Sequence, residues 1–165
     1  MSYRCSICGS EMERTRGDYP FPEVGLKGVV LKDVEMLRCK ECASVDAVIP
    51  RLRLLLRTLA EMLLIKRGLL CGEEIRFLRL HLGMAATEFA ELVGVDKSTL
   101  SRWEHDRQLI SPANDRLIRL VSHWLMNRQP REKLESLLSM KNHSDHACAK
   151  FIVEERDGEY YAEIA

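Results

Sequence analysis

The sequence predicts an α+β fold, mainly α. A small metal-held β module comes first, then one linker helix, a compact helical domain and a C-terminal β-hairpin. Three observations predict this. Two Cys-x-x-Cys pairs, Cys5–Cys8 and Cys39–Cys42, frame a segment with short β-type runs. From Leu52 to Leu125 apolar residues recur at helical spacing. Near the end, two β-rich runs flank Asp157-Gly158.

The bulk numbers narrow the function. The chain has 165 residues, enough for one compact domain or two small ones. Lys+Arg and Asp+Glu are 25 each, so the net charge is zero. Bulk attraction to nucleic acid is therefore not expected, and any such contact must use a local patch. Residues 50–72 hold five basic groups and one acid; residues 151–165 hold one basic group and five acids. Met1-Ser2-Tyr3-Arg4 runs straight into a cysteine motif and shows no signal peptide. No apolar run approaches membrane-spanning length. A soluble, cytoplasmic protein with no membrane contact is expected. Six cysteines in such a chain point to metal before disulfides.

In Cys5-Ser6-Ile7-Cys8-Gly9, two residues between the thiols let one turn aim both sulfurs at one ion. Gly9 suits the position after the second thiol, where a positive φ is often needed. Cys39-Lys40-Glu41-Cys42 repeats the device, with Ala43 in place of that glycine. Cys5, Cys8, Cys39 and Cys42 together complete a closed tetrahedral set for one structural Zn2+. An iron centre of rubredoxin type uses similar knuckles and is the alternative. Tyr19-Pro20-Phe21-Pro22 cannot be helical. Leu26–Leu31 and Val34–Arg38 read as two short strands separated by Lys32-Asp33. A zinc-ribbon-like module over residues 1–48 is expected. It has too little apolar mass to fold alone, so the metal should supply much of its stability.

Residues 49–72 form the linker. Pro50 suits the first turn of a helix running from Arg51 to Arg67. Leu52, Leu55, Leu56, Leu59, Met62 and Leu63 give its stripe, and Arg57 pairs with Glu61 at i, i+4. Leu54, Leu64 and Ile65 widen the apolar face. The helix is either buried on two sides or packed against a second copy of the chain. Cys71 reads as a small apolar filler.

Residues 73–126 form the helical domain. Its first helix, from Glu73 to His81, turns Ile75, Leu78 and Leu82 inward. Gly83 to Arg107 then reads as two short helices meeting at a tight turn. Phe89, Leu92 and Val93 give the first a stripe, and Ala90 permits close approach. Gly94 is the left-handed helix end, Val95 plugs the corner and Asp96 caps the second helix. Leu100 and Trp103 face inward. Lys97, Ser98, Thr99, Ser101 and Arg102 face outward: short hydrogen-bonding groups and two cations, as a helix in the DNA major groove requires. A helical hairpin with a merely solvated polar face would show part of this. The joint register of Ala90, Gly94, Val95, Leu100 and Trp103 favours a helix-turn-helix. A last helix runs from Pro112 to about Met126, with Leu117, Leu120, Val121, Trp124 and Leu125 as its apolar side.

Residues 127–165 differ. Asn127 to Lys150 is polar and basic, with a candidate helix at Arg131–Met140. His143, Asp145, His146 and Cys148 read as a polar linker rather than a second metal site. Phe151–Glu155 and Glu159–Ile164 form the hairpin, with Phe151 opposite Ile164 and Val153 opposite Ala162.

Together these motifs resemble the MqsA-type antitoxins, also described as YgiT-type zinc-finger/helix-turn-helix proteins. The resemblance covers residues 4 to 126. It rests on the interval from Cys8 to Cys39, on Val30-Leu31-Lys32 followed by Leu37-Arg38-Cys39, and on Ser101-Arg102-Trp103-Glu104. It implies a five-helix-type Xre/Cro helix-turn-helix domain that dimerises and represses its own operon at a palindromic double-stranded operator. It also implies a zinc domain that grips an RNA-cleaving toxin. Arg102 is then the main base-reading residue, and Ser98 stands at the other base-reading position, where the family has Asn. Ala85 and Ala86 replace the usual capping and phosphate-touching pair. Asp106 replaces a common Gly and adds a negative charge near DNA. A stand-alone helix-turn-helix regulator without a toxin is the second reading. An enzyme is not expected, because the four-cysteine site is closed and no Ser/His/Asp set or phosphate loop stands out.

Overall fold

In a computed structural model, residues 3–127 are described in full, together with the backbone of residues 151–156 and 159–164. The N-terminal part is an antiparallel sheet of β1 (Tyr3–Arg4), β2 (Glu11–Pro20), β3 (Val30–Cys39) and β4 (Val45–Ala47), in that order. Among the described residues five helices follow: α1 (Leu52–Ile65), α2 (Gly72–His81), α3 (Ala86–Leu92), α4 (Lys97–Glu104) and α5 (Pro112–Met126). β5 (Phe151–Arg156) pairs with β6 (Glu159–Ile164), with Phe151 opposite Ile164 and Val153 opposite Ala162, the expected register. Asp157-Gly158, the candidate helix at 131–140 and the group His143, Asp145, His146 and Cys148 lie outside the described residues.

The sheet departs from expectation in two ways. Of the two expected strands, Val30–Leu31 and Val34–Arg38 run as one strand, β3, through Lys32-Asp33, and residues 26–29 are loop and turn. Its partner β2 was not anticipated. Asp33 takes a left-handed φ of 48°, opposite the register shift between Gly17 and Tyr19, so the ladder absorbs an irregularity without ending. Side chains bridge the same place: Arg16 Nη2 lies 2.9 Å from Asp33 Oδ2, and Lys32 Nζ lies 2.5 Å from Asp18 Oδ2. Tyr19 and Pro20 are extended at the end of β2, but Pro22–Val24 closes as a 3-10 turn.

That turn leads into the contact between sheet and helices. Leu26, 6 % exposed, belongs to the same buried cluster as Ala60, Ile75, Phe77 and Phe89, with Val24 and Val29 packed beside it. The Lys27 amide donates to Glu73 Oε1 at 2.8 Å.

α1 begins later than expected. Arg51 sits in the left-handed region, with φ 54°, so Pro50 lies before the helix rather than in its first turn. Ala60 is fully buried, with Leu56, Leu59, Leu63 and Leu64 packed on the core. Leu52, Leu54, Met62 and Ile65 remain exposed, so among the described residues α1 is covered on one side. Arg57 Nε meets Glu61 Oε1 at 2.8 Å as expected. The C-terminus of α1 is tied to α5 through Arg119, which donates to the carbonyls of Leu63, Leu64, Lys66 and Gly68 at 2.7–3.1 Å. Asp115, 5 % exposed, holds Arg119 through Oδ2 at 2.8 Å and accepts the Leu70 amide at 2.8 Å. The Leu63 and Leu64 carbonyls are orphans of a helix end, satisfied by a side chain from another helix.

Two readings of individual residues change. Cys71 is exposed at the N-cap of α2, where its amide donates to Glu74 Oε2, and does not fill the core. On α5, Leu120 is 60 % exposed, whereas Ile118 is fully buried beside Val121. Among the described residues no helix is long and apolar enough to cross a membrane.

Candidate functional site

The four expected cysteines converge. Cys5 Sγ lies 3.5 Å from Cys42 Sγ, and Cys8 Sγ lies 3.4 Å from Cys39 Sγ and 3.6 Å from Cys42 Sγ. All four sulfurs lie within 4.8 Å of one another. A tetrahedral ion with metal–sulfur bonds of about 2.3 Å needs sulfurs about 3.8 Å apart, so the cluster fits one ion. Four soft thiolates suit Zn2+ or a single iron.

Both knuckles fold alike. The Cys5 amide donates to the Ser10 carbonyl at 2.8 Å, and the Cys39 amide to the Ser44 carbonyl at 2.9 Å. Gly9 and Ala43 occupy matching positions with φ of 75° and 56°. Gly9 adopts this cheaply, whereas Ala43 carries some strain. Each knuckle contributes one buried sulfur, Cys5 or Cys39, and one exposed, Cys8 or Cys42.

The serines after the knuckles were not foreseen. Ser44 Oγ lies 3.1 Å from Cys5 Sγ and 3.3 Å from Cys42 Sγ. Its hydroxyl, then the backbone at Cys8 and Ile7, pulls the Cys5 thiol down to about 6. Ser10 likewise lowers the Cys8 thiol. The repeat of Cys-x-x-Cys-Gly/Ala-Ser carried this signal. Partners that orient metal ligands commonly contribute 10–100-fold in affinity, so Ser44→Ala should weaken Zn2+ binding by about tenfold or more in competition with a chromophoric chelator. A change below about twofold would show that the hydroxyl is dispensable.

The second site is the pair α3–α4. Phe89, Ala90, Leu92 and Val93 are buried, and Gly94 takes φ 72°, ending α3 in a left-handed turn. Asp96 caps α4: Oδ1 accepts the Thr99 amide at 2.9 Å and also the Ser98 hydroxyl, and Oδ2 lies 2.7 Å from Thr99 Oγ1. The Ser98 and Thr99 hydroxyls and the Thr99 amide hold the Asp96 carboxyl well below the usual carboxylate range. The lowered value makes the cap's contribution full above the ordinary carboxylate range and lost only as pH falls far below it. Leu100 and Trp103 are buried. Lys97, Ser98, Ser101 and Arg102 are exposed and Thr99 is half-buried, so the predicted reading surface is displayed on one short helix.

The end of α4 is held from behind. Glu104 Oε1 and Oε2 receive Arg79 Nε and Nη2 at 2.6 and 3.0 Å, and Arg79 Nη1 donates to the Met84 carbonyl at 3.0 Å. Asp106, with φ 53°, adopts the backbone that a Gly would favour there. Its Oδ1 accepts the Gly72 amide at 2.7 Å, so its charge turns toward the N-terminus of α2. A Cβ on Gly72 would lie 2.6 Å from the Trp103 carbonyl oxygen, so α2 approaches α4 as only glycine allows. Arg79 and Glu104 stand 25 residues apart with no local pattern joining them. At the start of α3, Ala85 gives no side-chain cap, as expected.

No curated protein matches the chain. Residues 75–122, from within α2 to within α5, match the helix-turn-helix family HTH_3. The chain thus carries an Xre-type helix-turn-helix domain, that of a DNA-binding regulator of transcription, beside a four-cysteine cluster able to hold a metal.

Proposed function

We propose that this chain is a zinc-containing transcriptional repressor that binds a palindromic operator as a homodimer, and that it is the antitoxin of a type II pair, neutralising an RNA-cleaving toxin. The carrying observation is α4. It presents Arg102 and Ser98 outward while Asp96 caps its start and Glu104 ties its end to Arg79 of α2. A neutral chain gains little from bulk charge, so base contacts by this helix must supply much of its selectivity. Two such helices in a dimer would read half-sites about 34 Å apart. Toward DNA, Ser98 offers lone pairs, because its proton goes to Asp96. That suits the amino group of adenine or cytosine, in one hydrogen bond rather than the two an Asn could make. The antitoxin role is supported by the resemblance over residues 4–126, which joins a four-cysteine domain to a helix-turn-helix. The protein acts by binding and is not an enzyme.

Arg102→Ala should cost about 1–3 kcal/mol of discrimination between operator and random duplex. Unchanged binding ratios would defeat the base-reading role. The antitoxin role is tested by expressing the neighbouring reading frame alone and with this protein. Growth arrest rescued through a stable complex supports it. A harmless neighbour leaves the stand-alone regulator, with residues 127–165, beyond the resemblance, as the part to search for a partner.

A further inference from the structure

The outer face of α4 carries a hydrogen-bonded chain from its main cation back to its cap. Arg102 Nη2 donates to Thr99 Oγ1 at 2.9 Å, and Thr99 Oγ1 lies 2.7 Å from Asp96 Oδ2. A hydroxyl has one proton to give. A guanidinium cannot accept and an ionised carboxylate cannot donate, so the direction is settled: the Arg102 N–H points at the hydroxyl oxygen, and the hydroxyl proton at Asp96. The far end is itself anchored, because Asp96 Oδ1 accepts the Thr99 amide at 2.9 Å. Arg102 Nε donates to the Ser98 carbonyl at 3.3 Å. Thr99 is half-buried and β-branched, so its χ1 is stiff.

We infer that Thr99 is a positioning residue for base recognition: it holds the Arg102 guanidinium in place before DNA arrives and thereby sharpens preference for guanine. This rests on the DNA-reading role of Arg102 proposed above. A guanidinium has five N–H groups. The Thr99 and Ser98 contacts engage one on Nη2 and the one on Nε. Both Nη1 hydrogens and one on Nη2 remain, and a bidentate contact to guanine O6 and N7 uses one from each nitrogen. Thr99 thus acts through Arg102 and does not itself read a base. A long side chain ordered before binding loses less freedom on binding, and the wrong base cannot recover the difference by letting the side chain swing to another partner.

The probe is the set of duplexes that the wild-type chain enriches from a randomised library, with single base-pair variants of each. Thr99→Val should keep the helical signal and lower discrimination at the base pair read by Arg102 by about two- to tenfold, the scale of ordering one long side chain. Thr99→Ala removes the same hydroxyl with a strong helix former and should give the same loss. Thr99→Ser, which keeps the hydroxyl, should retain most of the preference. On an Arg102→Ala background, Thr99→Val should change discrimination no further. If both hydroxyl-free variants discriminate as the wild type does while Arg102→Ala does not, the relay is overturned and base reading by Arg102 stands. If Thr99→Val lowers discrimination equally without Arg102, Thr99 touches a base itself and the relay is again overturned. If the wild-type chain enriches no sequence, base reading fails and the relay with it.

Discussion

Removing the metal should unfold residues 3–48 and leave α2–α5 folded. The sheet's own buried cluster among the described residues is Cys5, Met12 and Cys39, with Leu37 packed against it. Two of those three belong to the four-cysteine cluster, so little apolar burial remains to offset the entropy of ordering four strands. Binding of structural zinc in small modules supplies about 10–16 kcal/mol near neutral pH, larger than any single packing contribution in this chain. Purified protein should carry about one zinc per chain. A strong chelator, or Cys39→Ser, should abolish amide-exchange protection in β2 and β3. The helical part should survive with a lowered melting temperature, because Leu26 and its loop leave the shared core. Retained protection in β2 and β3 after complete metal removal would refute the metal's role in holding the sheet.

Breaking the ion pair behind α4 should cost nearly as much of the helical domain's stability as a large cavity would. Arg79 and Glu104 have side chains only 10 % and 6 % exposed, and they meet through two hydrogen bonds. Glu104→Gln leaves a buried guanidinium without its counter-charge, and such losses run to about 3–5 kcal/mol. Urea denaturation followed by the helical signal would read the loss directly. The joint change Arg79→Met with Glu104→Leu, which removes both charges, should cost less than Glu104→Gln alone, since no unpaired charge remains. A loss under about 1 kcal/mol for Glu104→Gln would mean that water reaches Arg79 and that the pair does not brace α4.

Both predictions bear on the proposed function through geometry. The first concerns whether the β module exists as a surface for a partner. The second concerns whether α4 is held firmly enough to read a groove. Arg119, which ties the end of α1 and the segment after it to α5 through four carbonyls, plays the corresponding part for α1.

The local devices were legible in the sequence. Cys-x-x-Cys knuckles, the Asp96 cap, the Gly94 turn and the inward Leu100 and Trp103 depend on residues within a few positions of one another. Their physics is complete within one turn of chain. Glu11–Pro20 was not legible as a strand, because seven of its ten residues are charged or glycine or proline and its hydrophobic alternation is faint. It becomes a strand by pairing with β3, whose unbroken run through Asp33 depends in turn on β2. The docking of Leu26 into the helical core, the grip of Arg119 on α1, the pairing of Arg79 with Glu104 and the turn of Asp106 toward Gly72 likewise join distant positions. By itself, then, the sequence determined the four converging cysteines, the helix-turn-helix and its outward residues. Only the tertiary structure decided which charges are buried and paired, how the sheet is joined to the helices and where Arg102 is held. Contacts across long separations acquire their energy only once the chain has closed the intervening loops, and no local pattern records them.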